Sequence, residues 1–252
     1  MSLATTKAIA LSGLNGEVIT IEVDIADGLP GFTLLGLPDA ALSESRDRVR
    51  AALVNSLQPW PNRKVTIALL PAWLPKAGSG FDLPIAMGLL GAQGVVQGVD
   101  ELLFVGELSL DGSLRQTRGV LPSLICAYRN GIRKAVIPKA NLAEAKLLPE
   151  LEVFAFDTLK DVVHWMQTGE IAEQSEFDLE YEVVEKGLDF ADVAGQRAAR
   201  RAAEISAAGA HNLLMIGPPG VGKTMIAERI PTILPPLCKE ETLAVIMFLI
   251  FD

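Results

Sequence analysis

The sequence predicts an α/β protein with two domains joined by an acidic linker. Residues 1–167 mix strand-type and helix-type patterns, with hairpin signals early and strand–helix alternation later. Residues 168–187 are crowded with acidic side chains, and residues 188–252 carry an apolar run, a glycine-rich loop and a helical stretch. We therefore expect a mixed α/β layer domain over 1–167, a linker over 168–187 and the beginning of a second α/β domain over 188–252.

The first domain is predicted element by element from apolar spacing and turn residues. Glu17 to Ile25 alternates, with Ile19, Ile21, Val23 and Ile25 on one face, which is the period of a half-buried strand. Asp111-Gly112 predicts a hairpin, and Asn130-Gly131 predicts the end of a helix. The predicted strands cover 17–25, 32–37, 64–70, 103–109, 114–117 and 134–137, and the predicted helices cover 40–57, 82–90 and 120–129, with helix, strand and helix following through 165.

The acidic stretch allows two interpretations. Its carboxylates favour a solvated linker, because a segment with so many like charges cannot bury them. Its second half could instead form a short half-buried strand, since Phe177, Leu179, Tyr181 and Val183 alternate with the acids. Beyond it, an alanine-rich stretch from Gly195 to Ala210 predicts a helix that ends at Gly209.

Composition narrows the functional classes. The formal charge of −9 over 252 residues argues against broad non-specific binding to nucleic acid, although it leaves room for a local basic pore in an assembly. Cys126 and Cys238 are far apart, which predicts free thiols in a reducing compartment. His164 and His211 have no partners at metal-ligand spacing. We find no signal peptide and no apolar run near the roughly 20 residues that span a bilayer, so we expect a cytoplasmic protein without membrane contact.

The most informative motif is GPPGVGKT, which fits the phosphate-binding pattern GxxxxGK[ST] at every fixed position. It lies between a predicted strand, 213–216, and a predicted helix, 225–230. Glycines allow backbone amides to surround an anion, a lysine reaches the β- and γ-phosphates, and a hydroxyl binds Mg²⁺. ATP and Mg²⁺ are therefore the expected cofactors, with Thr224 as the Mg²⁺ ligand. The expected nucleotide site consists of Gly217, Pro218, Pro219, Gly220, Val221, Gly222, Lys223 and Thr224.

The second segment resembles AAA+ ATPases of the magnesium-chelatase type in DVAGQ (192–196), in HNLLMIGPPGVGKT (211–224) and in ERIPTILPPL (228–237). The first segment resembles the N-terminal domain of the ComM (YifB) family in residues 28–56 and in PKAGSGFDLPIA (75–86). This resemblance implies a homo-hexameric, ATP-driven helicase that aids branch migration of DNA during natural transformation. It also implies that DVAGQ borders the adenine. A magnesium-chelatase motor subunit is the alternative within the same class.

Residues 106–138 also resemble the proteolytic domain of Lon in their order of strand, hairpin, helix and strand. Such chemistry needs a serine that is activated by a lysine. The position of the nucleophile is taken by Gly80, with Ser79 one residue away, and 119–123 contains no lysine. We therefore expect a Lon-like α+β fold without protease activity.

The ATPase class also needs an acidic pair, a sensor residue and an arginine finger, which the family places well after the phosphate loop. Residues 245–252 superficially resemble the apolar strand and aspartate of a Walker B motif, but their spacing from Lys223 is short. The more ordinary interpretation is a truncated chain. We therefore expect the start of an AAA+ domain that binds nucleotide without turning it over, and a non-catalytic binding or assembly module stays open as a further alternative.

Overall fold

In the computed structural model, residues 2–171, 187–238, 241–243 and 245–246 are described. The chain divides into two compact units, and each is taken by itself. The first unit contains the described residues up to 171 together with 245–246, and the second contains those from 187 to 243. The predicted linker lies outside the described residues over 172–186, as do the alternative strand at 177–183 and most of the apolar end of the chain. The predicted domain boundaries therefore stay predictions.

The first unit is a mixed sheet with helices packed on it. Its strands are β1 (Ser2–Ser12), β2 (Asn15–Ala26), β3 (Gly31–Leu35), β4 (Lys64–Leu70), β5 (Leu103–Phe104), β6 (Glu107–Leu108), β7 (Leu114–Arg115), β8 (Lys134–Pro138) and β9 (Glu152–Phe156). Its helices are α1 (Ala40–Ser43), α2 (Ser45–Asn55), α3 (Asp82–Ala92), α4 (Val120–Arg129), α5 (Leu142–Ala145) and α6 (Leu159–Thr168).

Within the described residues, seven strands form one sheet in the order β3-β4-β2-β1-β5-β8-β9, and β6 pairs separately with β7. The two contacts made by β2, to β1 and to β4, are antiparallel, whereas the other pairs of the large sheet are parallel. This arrangement fits the predicted α/β class. The predicted alternation in β2 is confirmed, since Ile19, Ile21, Val23 and Ile25 are all buried.

Strand β1 was missing from the sequence prediction. It pairs with β2 along its whole length and lies between β2 and β5. Helices cover both of its faces. On one face, the Thr6 hydroxyl donates to the Pro84 carbonyl oxygen of α3. On the other, the side chain of Ile9 lies close to Gly16 of β2 and to Cys126 of α4. A strand buried on both faces loses the alternation on which the prediction depends.

Two further predictions need correction in the first unit. The strand predicted over 103–109 is divided, because Leu103–Phe104 joins the large sheet while Glu107–Leu108 forms the hairpin across Asp111-Gly112. The single helix predicted over 40–57 is divided at Glu44 into α1 and α2. Arg48 turns to the buried carboxylate of Asp82 and donates to both of its oxygens, at 2.9 and 3.0 Å, because a buried charge needs a partner.

The second unit contains α7 (Arg197–Gly209), α8 (Lys223–Arg229) and short 3₁₀ turns. Both helices were predicted, and α7 ends where expected. Its small core is built around Phe190, Val193, Ala203 and Ile226. The predicted strand at 213–216 is not formed, because these residues pair with no strand among the described residues. Their side chains nevertheless alternate in burial: Leu213 and Met215 pack on the core, while Leu214 and Ile216 are 82% and 88% exposed.

Candidate functional site

The phosphate-binding motif forms a tight loop between the 213–216 segment and α8. Gly220 and Gly222 have φ angles of 81° and 83°, and Gly222 is the residue from which α8 begins. These are conformations that side chains with a Cβ rarely adopt, so the two glycines are required by the shape of the loop. The loop is largely exposed, as is Thr224 in the first turn of α8.

Lys223 folds back over this loop. Its ammonium donates to the backbone carbonyl oxygens of Gly217 at 2.9 Å and of Pro218 at 2.8 Å. The lysine therefore holds its charge at the mouth of the loop. Both contacts are exposed, so an anion with stronger acceptor oxygens can replace them without burying a carbonyl.

Gln196 is a residue of this site to which the sequence analysis gave no role of its own. Its side-chain amide donates to the carbonyl oxygen of Val221 at 3.0 Å, which ties the start of α7 to the loop. Gln196 also has a φ of 46°, a left-handed conformation that is uncommon for a residue other than glycine. The only sequence signal is its place at the end of DVAGQ, immediately before a helix.

A cavity of about 270 Å³ adjoins the loop. Most of its lining residues have apolar side chains and come from the alanine-rich face of α7 and from residues 213–216, and Val221 and Lys223 also line it. The arrangement combines an apolar wall with a cation and a glycine-rich loop, which are the parts that a phosphorylated ligand with a flat apolar group needs.

Nearby, Arg200 fixes the entry to α7. Its guanidinium donates to the carbonyl oxygen of Val193 at 3.1 Å and lies 5.8 Å from the ring centre of Phe190. Both partners are buried, so this arginine supports the DVAGQ segment from the core side. Residues 247–252, including Asp252, lie outside the described residues.

The first unit contains a cavity of about 430 Å³ at the PKAG segment. Ser79, Gly80, Glu107 and Thr117 line it. The Ser79 hydroxyl donates to the Glu107 carboxylate, and the Glu107 amide donates to the Thr117 hydroxyl at 3.2 Å. Ser79 is therefore hydrogen-bonded to a carboxylate, whereas a Lon-type nucleophile is paired with a lysine.

Lys76 is the lysine nearest to Ser79 in the sequence, and it is engaged elsewhere. Its side chain is 1% exposed, and its ammonium donates to the carbonyl oxygens of Gly36, Leu69 and Pro71. Burial lowers the pKa of Lys76, and the three carbonyl acceptors satisfy its ammonium form. It joins the ends of β3 and β4 and does not point to the serine.

Both cysteines are free thiols, as predicted. Burial raises the pKa of the Cys126 thiol, which makes it a poor nucleophile. Across the described part of the chain, no group of three or more histidine, cysteine or acidic side chains is arranged to hold a metal ion. No helix among the described residues has the length and hydropathy to cross a bilayer.

Comparison with known proteins gives the family. Residues 21–141 match the model described as subunit ChlI of Mg-chelatase, and residues 189–249 match that of magnesium chelatase, subunit ChlI. The competence protein ComM of Haemophilus influenzae is 40% identical over 254 residues, covering 96% of this chain and 49% of that protein. The chain belongs to the magnesium-chelatase-like ComM/YifB family.

Two further relatives match this chain with similar identity and coverage. YifB of Escherichia coli is 43% identical over 247 residues, covering 96% of this chain and 48% of that protein. An uncharacterized protein of Mycobacterium tuberculosis is 47% identical over 249 residues, covering 97% of this chain and 49% of its own length. The chain thus spans about half the length of the curated relatives it matches.

The expected likeness to Lon receives partial support. The Lon protease of Chloroflexus aurantiacus is 26% identical over 165 residues, which is 60% of this chain and 20% of that protease. In this ComM/YifB-family chain, the serine cavity differs from the Lon pattern at the residues described above.

Proposed function

We propose that the second unit binds Mg²⁺-ATP or Mg²⁺-ADP at Gly217–Thr224. The observation that carries the proposal is Lys223, whose ammonium lies over a loop shaped by Gly220 and Gly222. In the bound form, this ammonium exchanges the two loop carbonyls for oxygens of the β- and γ-phosphates. Pro218, Pro219 and Val221 complete the loop around the phosphates.

The Thr224 hydroxyl fits the Mg²⁺ role, because it is exposed and lies in the first turn of α8. Mg²⁺ supplies charge neutralisation between the β- and γ-phosphates. The apolar cavity beside the loop is suited to the base, and Gln196 holds the α7 wall of that cavity against the loop. The nucleotide is therefore expected to connect α7 to α8.

At the level of the whole protein, we propose an ATP-driven motor of the ComM type that assembles as a homo-hexamer and acts on branched DNA during natural transformation. Family membership and the printed name of the competence protein support this role. The chain covers about half of that relative, so hydrolysis and assembly are proposals for the complete protein.

Calorimetry with ATP and Mg²⁺ on the 252-residue chain tests the proposed site. Lys223→Ala should weaken binding about ten- to hundredfold, because it removes a charge-assisted contact to phosphate. Arg201→Ala is the matched control, since it removes an exposed cation of α7 that pairs with Glu204. Equal affinities of wild type and Lys223→Ala would overturn the assignment.

A further inference from the structure

A surface of three arginines and two aromatic rings lies at the β3 edge of the first unit. We call it the Phe32/Trp60 patch, and it consists of Phe32, Arg46, Arg50, Trp60 and Arg63. The two rings are stacked, with their centres 6.0 Å apart and their planes 22° apart. Arg46 lies 5.9 Å from the centre of the Phe32 ring, and Arg50 lies 5.9 Å from the centre of the Trp60 ring.

The geometry leaves the donors of these arginines available. A distance of 5.9 Å is at the limit of the cation–π range, so each ring holds its arginine only weakly. The contrast is Arg133, whose guanidinium lies 4.4 Å from the centre of the Tyr128 ring and donates to the Tyr128 carbonyl oxygen at 2.8 Å. Arg133 is engaged with its own loop, whereas Arg46 and Arg50 project from α2 into solvent.

Positive charge is concentrated at this patch, although the chain as a whole has a formal net charge of −9. Arg48, on the same helix, is neutralised by buried Asp82, and the hydrogen bonds to Asp82 raise the Arg48 pKa. Arg63 forms an exposed pair with Asp27 at 3.3 Å, which contributes little in water. Glu44 and Asp47 are the acidic residues at the start of α2, and Glu44 lies 3.8 Å from Arg48. The patch therefore keeps an excess of cations, with its rings between them.

The patch is also concave. A groove of about 220 Å³ lies between the α2 arginines and the Trp60–Arg63 segment. A second groove of about 420 Å³ adjoins the other side of the same segment, where Ser2, Ile25 and Gln93 line it. Trp60 and Arg63 line both grooves, so they lie at the boundary between the two.

We propose that the Phe32/Trp60 patch binds single-stranded DNA. Arg46, Arg50 and Arg63 contact successive phosphates, and an unstacked base lies against the exposed part of Trp60. Cationic grooves with aromatic rings are the general means of holding single strands without sequence preference. The choice of DNA rests on the proposed function, whereas the site rests on the geometry of the patch alone. An acidic polypeptide is the rival ligand, but its carboxylate side chains do not stack on aromatic rings as bases do.

Fluorescence anisotropy with a labelled oligothymidylate of about 20 nucleotides tests the proposal on the 252-residue chain. The double variant Arg46→Gln/Arg50→Gln should lower the affinity about tenfold or more at low salt. Between about 50 and 200 mM salt, its log–log slope should be shallower by about 1.4, about 0.7 for each lost contact to a single-strand phosphate. Arg133→Gln is the matched control, because it also removes an exposed arginine beside a ring, and its affinity should stay near that of wild type.

Trp60→Phe provides a second measurement that depends on base contact rather than charge. The oligonucleotide should quench tryptophan emission of the wild type, and this quenching should fall in the variant while the salt slope is unchanged. Equal binding by wild type and the double arginine variant would overturn the proposal. An equal loss in Arg133→Gln would also overturn it, as would complete displacement of the oligonucleotide by polyglutamate at equal charge concentration.

The two proposals fail separately. Lys223→Ala should keep its affinity for the oligonucleotide, and the double arginine variant should keep its affinity for Mg²⁺-ATP. Loss of nucleotide binding in Lys223→Ala, combined with unchanged DNA binding in the arginine variant, would remove the patch and leave the nucleotide site in place.

Discussion

Two apolar segments of this chain alternate in burial and have different outcomes. In β4, Val65, Ile67 and Leu69 are buried, and the strand pairs with β2 on one side and β3 on the other. In the 213–216 segment, Leu213 and Met215 face the core of the second unit, but the chain pairs with no described strand. Burial alternates in both places, but only β4 has neighbouring strands, and a strand needs such a neighbour as well as a buried face.

The difference teaches what each region contributes to its unit. β4 has one buried face and two paired edges, so its backbone groups and side chains are stabilised together. The 213–216 segment contributes only its inner face, and Ile216 is 88% exposed at the entrance to the phosphate loop. The candidate nucleotide site is therefore built on the less stabilised of the two segments.

Hydrogen exchange should show the largest difference between them. The amides of β4 are expected to open only with global unfolding, which costs about 5–15 kcal/mol in domains of this kind. The amides of residues 213–216 should exchange with an opening free energy near zero. Exchange measured residue by residue without nucleotide checks this. Comparable protection in the two segments would show that 213–216 is paired and would remove the contrast.

Side-chain truncation should sharpen the comparison on a smaller energy scale. Ile67 is fully buried in β4, so Ile67→Ala should lower the free energy of unfolding by about 2–5 kcal/mol through lost burial and an unfilled cavity. Ile216→Ala should change it by less than about 0.5 kcal/mol, because its side chain is in water. Urea denaturation followed by circular dichroism measures both. A cost above about 2 kcal/mol for Ile216→Ala would mean that its side chain is buried in solution.

Local signals predicted much of this fold. β4 and α4 have the predicted limits to within one residue, since Pro71 closes the first and Asn130-Gly131 ends the second. β1 could not be predicted, because its burial on both faces comes from α3 and α4, which are distant in sequence. The loop that carries Lys223 could be predicted from its residues, but the contact from Gln196 depends on a left-handed backbone conformation that no local pattern indicates.

Lys76 in the first unit and Lys223 in the second differ in the same way as the two segments, because the contacts of one are enclosed and those of the other are exposed. Lys76 and Lys223 both donate to backbone carbonyl oxygens, three for Lys76 and two for Lys223. The contacts of Lys76 are enclosed where β3 ends, and even the glycine that supplies one carbonyl is constrained there. Gly36 has a φ of 105°, and a Cβ on it would lie 2.2 Å from the Leu69 carbonyl oxygen. The contacts of Lys223 face solvent and can be exchanged.

Substitution by methionine, which keeps the length of the side chain, should separate these two roles with the smallest effect of the series. Lys76→Met leaves buried carbonyl oxygens without a donor, so the free energy of unfolding should fall by about 1–3 kcal/mol. Lys223→Met should change it by less than about 0.5 kcal/mol, because water satisfies the Gly217 and Pro218 carbonyls. The measurement is urea denaturation in the absence of nucleotide. Equal costs would contradict the distinction, since they would mean that the Lys223 contacts also stabilise the fold and are not free to be replaced by phosphate.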